Sequence, residues 1–151
     1  VSARILAIAD ALVTDLNGMT WVVPFTSYRT YVPINDIKDL GANLDVPIVP
    51  SSYANTVLTR SARAQEDHTI DVGIQQRLAE SVVTIADITA ACDPLTQLVQ
   101  DIGDRYRGGP APGDPLATCI SSTVTLLFIP KILDEQKVFR SILSLVFRRG
   151  F

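Results

Sequence analysis

Charge and chemically reactive side chains are scarce in this sequence. Of 151 residues, 19% are Asp, Glu, Lys or Arg, with 13 basic and 16 acidic side chains and a formal net charge of −3. A protein that grips duplex DNA concentrates Lys and Arg on one face. Here the densest basic groups are Arg105 with Arg107, and Arg140 with Arg148 and Arg149. They read as a solvated rim, with a phosphate track as the sharper alternative. Histidine occurs once, at His68, and cysteine twice, at Cys92 and Cys119. A zinc site takes about four ligands, which these residues do not supply at ligand spacing. Two cysteines do not make a disulfide framework. They are expected to be small buried hydrophobes in a reducing compartment. Apolar runs are short: none reaches the roughly 18 to 20 residues of a membrane span, and Asp10 and Asp15 interrupt the stretch a signal peptide would need. The start at Val1-Ser2 without Met leads to the expectation that an initiator was removed.

Catalytic patterns are equally thin. Gly108-Gly109 follows a helical pattern instead of opening one, which fails the P-loop and dinucleotide contexts. No Gly-x-Ser-x-Gly elbow is present. A Ser-His-Asp or Cys-His constellation would have to use His68. That residue precedes Thr69 at the start of an alternating segment, so it is expected at an exposed strand edge or in a loop. Asp101 and Asp104 are three apart on a helical pattern and can meet, but they read as a solvated face. No catalytic residue, metal or cofactor is expected.

What is present is apolar patterning. The hydrophobic fraction is 47% and the mean hydropathy is +0.25, high for a chain of so few charges. At this length one domain buries roughly 70% of its unfolded surface. Ile5, Ile8, Ala9, Leu12 and Leu16 recur at spacings of three and four, which predicts an amphipathic helix over 3–16. Ser2 is its expected N-cap, and Asn17-Gly18 its left-handed stop. A strand is predicted from Phe25 to Val32, stopped by Pro33, followed by a polar link over 35–41. A second strand runs from Leu44 to Val49, ended by Pro50, with Pro47 pushing it towards an edge or bulged position. Val57 to Arg60 can open another strand, and 61–67 reads as a loop or hairpin tip. From His68 to Leu78 the period is two, with Ile70, Val72 and Ile74 on one face, the mark of a half-buried antiparallel strand.

Further along, 80–91 is helix-compatible and Asp93-Pro94 reads as a second helix start, giving a bent or broken pair. Leu95, Leu98, Val99, Ile102 and Tyr106 line its face. The Gly/Pro-dense stretch 108–115 is expected to be a loop that holds neither helix nor ladder. Two strands close the chain. The first is Ser121 to Ile129, with Val124, Leu126 and Phe128 on one face. The second is Ser141 to Phe147, with Leu143, Leu145 and Phe147 on one face, and Lys131 to Phe139 links them. The order predicts a single α+β domain over 1–151: a mostly antiparallel sheet with helices packed on one face.

Several of these segments together resemble a known family. They are the N-terminal helix, Phe25-Thr26-Ser27-Tyr28-Arg29-Thr30-Tyr31-Val32-Pro33, Ile37-Lys38-Asp39-Leu40, the strand ending Val49-Pro50, and Arg60 with its link into Ile70-Asp71-Val72-Gly73-Ile74-Gln75-Gln76-Arg77-Leu78. The terminal strand Ser141-Ile142-Leu143-Ser144-Leu145-Val146-Phe147-Arg148 completes the set. Over most of its length the chain looks like the neck and tail-completion proteins of tailed bacteriophages, of the tail-terminator type. Pro47 and the 108–115 stretch depart from the family pattern and are expected to be ring-contact or lumen elements.

The resemblance implies a structural virion protein without an active site or cofactor. It implies a ring of identical subunits, commonly six, at the head-proximal end of the tail, assembled in the host cytoplasm. The implied partners are the tail-tube protein, a head-side connector or stopper, and sheath proteins, with genomic DNA passing the lumen unbound and no membrane involved. Heterologous ring contacts bury two different patches per subunit. The expected interface residues are Arg29, Tyr31, Arg60, Arg63, Arg148 and Phe151. Another neck component, a head-closure, stopper or connector protein or a minor tail subunit, fits the same features. A small ligand-binding or enzymatic domain with a polar pocket around His68, Asp71 or Asp101 is a different class, and a nucleic-acid-binding module is a third.

Overall fold

The computed structural model describes residues 3–31, 43–57, 60, 64–79, 82–126 and 137–150. Its elements are α1 (Arg4–Asn17), β1 (Thr26–Arg29), β2 (Asp45–Val57), β3 (Ala64–Arg77), α2 (Ile85–Tyr106), β4 (Pro110–Ala111), β5 (Asp114–Leu126) and β6 (Val138–Gly150). The described strands form one sheet in the order β1-β2-β3-β6-β5-β4. β1 runs parallel to β2, and every other pairing is antiparallel. This is the predicted α+β class.

The helices share one face of the sheet. The predicted stripe of α1 buries Ile5, Ile8, Ala9, Leu12 and Leu16. The predicted stripe of α2 buries Leu95, Leu98, Val99, Ile102 and Tyr106. Both join one core with Val46, Ile48, Ile70, Val72, Ile74, Leu143, Leu145 and Phe147 from the sheet. At about 1.5–3 kcal/mol for each fully buried aliphatic or Phe side chain, this layer is the main source of stability. The two helices are tied by Asp15, which accepts bonds from both guanidinium arms of Arg105 at 3.1 and 3.0 Å and from the Tyr106 hydroxyl.

Several element boundaries differ from the predictions. The N-cap position of α1 is Ala3, which has no capping side chain, and Ser2 lies outside the described residues. Gly18 leaves the helix right-handed, at φ −82. A left-handed cap is not required, because Trp21 Nε1 donates to the Leu16 carbonyl at 2.9 Å. The Asn17 carboxamide instead accepts the Ser27 N–H at 2.7 Å and donates back to the Ser27 carbonyl, docking β1 on the helix end. β1 stops at Arg29, after which the Thr30 N–H makes a last bond to the Ile48 carbonyl. Val32 and the link at 35–41 lie outside the described residues.

β2 does not end at Pro50 but continues to Val57, so Val57 closes this strand instead of opening another. Pro50 is tolerated because it sits at a register shift between Pro50 and Ser52, where the ladder is already interrupted. Pro47 is bordered by β1 (opposite Tyr28), so the edge at that level is β1, and the bulge lies three residues on. Residues 64–67, expected in a loop, open β3, while 61–63 lie outside the described residues. α2 is one helix through Pro94. Its N-cap is Thr84, which forms a capping box with Asp87, and not Asp93. Pro94 removes only the bond to Ala90, whose exposed position lets water take the carbonyl.

The Gly/Pro stretch holds a ladder after all. β4 and the start of β5 pair Ala111 with Asp114 around a turn in which Gly113 takes φ +76. β5 therefore begins at Asp114, seven residues before Ser121, and a register shift between Val124 and Leu126 breaks its period of two. Phe128 and 131–136 lie outside the described residues, and Phe139 belongs to β6. Cys119 is buried as expected, whereas Cys92 is only half-buried.

Candidate functional site

The expected interface residues do not form one site. Arg29, at the end of β1, is held by Asp10 of α1 at 2.6 Å, and its guanidinium lies 5.8 Å from the Tyr31 ring, which is exposed. Arg148, on β6, makes a two-armed pair with Asp67 on β3, at 2.9 and 3.0 Å. Arg60 is exposed beyond the end of β2. Arg63 and Phe151 lie outside the described residues. The basic groups make no phosphate track, since Arg105, Arg107, Arg148 and Arg149 are each paired with an Asp, and Arg140 is buried. Asp101 and Asp104 also do not meet as a carboxylate pair: Gln97 donates to the first at 2.7 Å and Arg107 bridges to the second at 3.3 Å.

His68 is the largest departure. It is 3% exposed, in a strand flanked on both sides. Glu66 and His68 continue the inward parity of Ile70, Val72 and Ile74, a signal present in the sequence once the strand is extended back to Ala64. His68 Nε2 lies 3.2 Å from Glu66 Oε2, and Arg4 of α1 closes on both Glu66 oxygens. The hydrogen-bonded Arg4 guanidinium holds the Glu66 carboxyl below the ordinary carboxylate range, against the opposing effect of burial. The Tyr53 ring lies 6.2 Å from the imidazole, and Asn55 and Ala3 complete an open cleft of about 370 Å³. Among the described residues no Ser, Thr or Cys lines this cleft beside His68. Among the described residues no group of three or more His, Cys, Asp or Glu stands ready for a metal ion, and no helix is long and apolar enough to cross a membrane.

The sheet edges are the second candidate. Among the described residues β1 covers β2 only over Asp45–Ile48, and Ser51–Val57 is exposed throughout. β4 pairs with β5 only up to Thr118, and Gly108 and Gly109 extend that cover to Cys119. From Ile120 on, no described strand pairs with the outer side of β5. The two open segments read Ser-Ser-Tyr-Ala-Asn-Thr-Val (51–57) and Ile-Ser-Ser-Thr-Val-Thr-Leu (120–126), without a charge, Pro or Gly in either. Monomeric sheet proteins protect an open edge with Lys, Pro or a covering element. These edges carry β-formers, and four large apolar side chains stand out on them: Tyr53 62%, Val57 72%, Ile120 45% and Val124 41% exposed.

The sheet face away from the helices is rich in hydroxyls. Ladder partners share a face, which places Ser52, Thr69, Val146 and Ser121 in one row and Val49, Asp71, Ser144 and Thr123 in the next. Two of its carboxylates are satisfied within it: Asp67 by Arg148, and Asp71 by the Ser144 hydroxyl at 2.7 Å. Compared with protein-family models and with curated proteins, the chain matches none.

Proposed function

We propose that this chain is a structural subunit of a tailed phage, of the tail-terminator type. Its copies close a ring at the head-proximal end of the tail, six in number as the resemblance implies. It works by assembly: one ring face stops the tail tube, and the other receives the head-side connector. One observation carries this reading: among the described residues the sheet ends in two dissimilar open segments, both free of the charges and prolines that would keep a monomer apart. Two different patches, each fitting the other and not itself, are what a heterologous ring contact uses. The hydroxyl-bearing part of the sheet face away from the helices, with Arg148 neutralised by Asp67, suits a wall past which DNA slides without sticking.

The test is to add the protein to the tail-tube protein of the phage that encodes it during tube growth. Tubes should stop growing, with a ring on one end in electron micrographs. Unchanged tube lengths and bare ends would reject the terminator role. A ring that binds only head-side connector protein would assign the chain to another neck position.

The cleft at Arg4, Glu66 and His68 favours a second reading, a small-ligand-binding domain. The two readings differ at Tyr53 and Asn55, which line the cleft and also lie on the open edge of β2. A neighbouring subunit on that edge would close the cleft.

A further inference from the structure

We infer that the ring contact is a β-ladder joining residues 51–57 of one copy to residues 120–126 of the next, antiparallel, with Ala54 opposite Thr123. This rests on the ring reading above and names its interface.

Strand direction permits the contact. Across β2-β3-β6-β5 every neighbour is antiparallel, so β2 and β5 point in opposite senses. A second copy placed with its β2 beside β5 continues the alternation. Length sets the register, because each open segment has seven positions, 51–57 and 120–126. Full overlap pairs residues whose numbers sum to 177, such as 54 with 123.

Side-chain chemistry agrees with that register. Ala54 is the ladder partner of Asp67, and Thr123 of Ser144, and all four lie on the sheet face away from the helices. Tyr53, opposite His68, and Val124, opposite Leu143, both lie on the helix face, and this register sets them against each other. By number it also sets Val57 level with Ile120, at the bulge between Cys119 and Ser121, so the four exposed apolar side chains described on the two edges fall in two pairs. Two-fold pairing of β2 with itself about Ala54 would instead set Tyr53 against Asn55 and Val57 against Ser51, leaving each apolar group on a polar one.

The short outer strands bracket the contact. The β1 of the incoming copy lies at the level of Asp45–Ile48, which falls past Leu126, the last described residue of β5. On the receiving copy, the cover of β5 stops at Cys119, just before the contact begins.

The stagger is compatible with closure. Within one copy Ala54 is level, through Asp67, with Arg148, whereas Thr123 is level with Ser144, four positions along β6. Each added copy is thus offset by four residues across the four strands β2, β3, β6 and β5. At about 3.3 Å per residue and about 4.8 Å per strand, the offset is a strand tilt of about 35°, at the low end of the range of closed sheets.

Cysteine cross-linking tests this, in a Cys92→Ser background that leaves only the buried Cys119. Ala54→Cys and Thr123→Cys are made singly and together, and each is oxidised at a concentration where light scattering has fixed the assembly state. The double variant should give a ladder of disulfide-linked multimers on non-reducing gels, and each single variant should stay at the monomer position. Dimers from Ala54→Cys or Thr123→Cys alone would show two-fold edge pairing and overturn the proposal. A ring-sized species with no cross-link in the double variant would overturn this interface but leave the ring reading standing. A monomer at every concentration would sink both.

Discussion

Replacing Gly113 with alanine should be among the more damaging small substitutions in this molecule. Gly113 holds φ +76, a conformation that costs an L-residue about 1–2 kcal/mol. A Cβ there would also lie 2.7 Å from the Ala11 Cβ and 3.2 Å from the Ala7 carbonyl oxygen, both on α1. Neither atom is the free end of a flexible side chain, so the β4–β5 turn must lift off the helix, an overpacking cost of about 1–3 kcal/mol. The sum, about 2–5 kcal/mol, is a large share of a domain's total of about 5–15 kcal/mol. Urea unfolding followed by circular dichroism, at one fixed protein concentration because assembly shifts apparent stability, measures it. Ala11→Gly alone should cost about 1 kcal/mol of helix propensity. In the double variant the steric part should be recovered, with a favourable coupling of about 1–2 kcal/mol. A Gly113→Ala protein within about 0.5 kcal/mol of the parent, where ordinary surface substitutions fall, would refute the reasoning. So would a loss that Ala11→Gly leaves untouched.

Gly103→Ala makes a useful contrast. A Cβ there meets the Ser122 hydroxyl at 2.7 Å, but that hydroxyl ends a short side chain that can rotate. The gain of about 1 kcal/mol in helix propensity should leave the variant near neutral, and a loss above about 3 kcal/mol, the top of the overpacking range, would show that Ser122 is fixed. Stability should also fall in acid. Glu66, Asp67 and Asp15 are held below the ordinary carboxylate range, chiefly by hydrogen bonds from Arg4, Arg148 and Arg105. A lowered folded-state pKa stabilises fully above the unfolded value, near pH 4, and the effect is lost as pH falls through the folded value. The urea midpoint should therefore decline from about pH 4 downwards, and a midpoint unchanged at pH 2 would contradict these pairs. Arg148→Met should make the decline shallower by removing the partner of Asp67.

Much of the fold was legible where one period rules a segment. The stripes of both helices and the inward faces of β3 and β6 follow from spacing alone, because each is buried against a single layer. Proline was the main source of error. Pro50 read as a stop and Asp93-Pro94 as a second helix start, but Pro50 falls on a bulge and Pro94 sits inside one helix with the Ala90 carbonyl at an exposed position, so tertiary context removes most of the penalty. The 108–115 stretch misled for a related reason, since its glycines supply the turn of a hairpin instead of a loop. His68 was misplaced because Glu66 and Asp67 look like loop residues. In the fold Arg4 and Arg148, far away in sequence, neutralise them and let the strand begin at Ala64. The candidate edges were visible only as uncharged runs. Which of them stays open depends on strand order and on how far β1 and β4 reach, and no local pattern reports that.

The central claim is that copies of this chain assemble head to tail into a closed ring. The direct test is the mass of the purified protein by light scattering after size exclusion, over a wide concentration series. The account predicts a discrete species of fixed subunit number that stops growing as concentration rises. A strict monomer at every concentration, or aggregates that lengthen without limit, would contradict it.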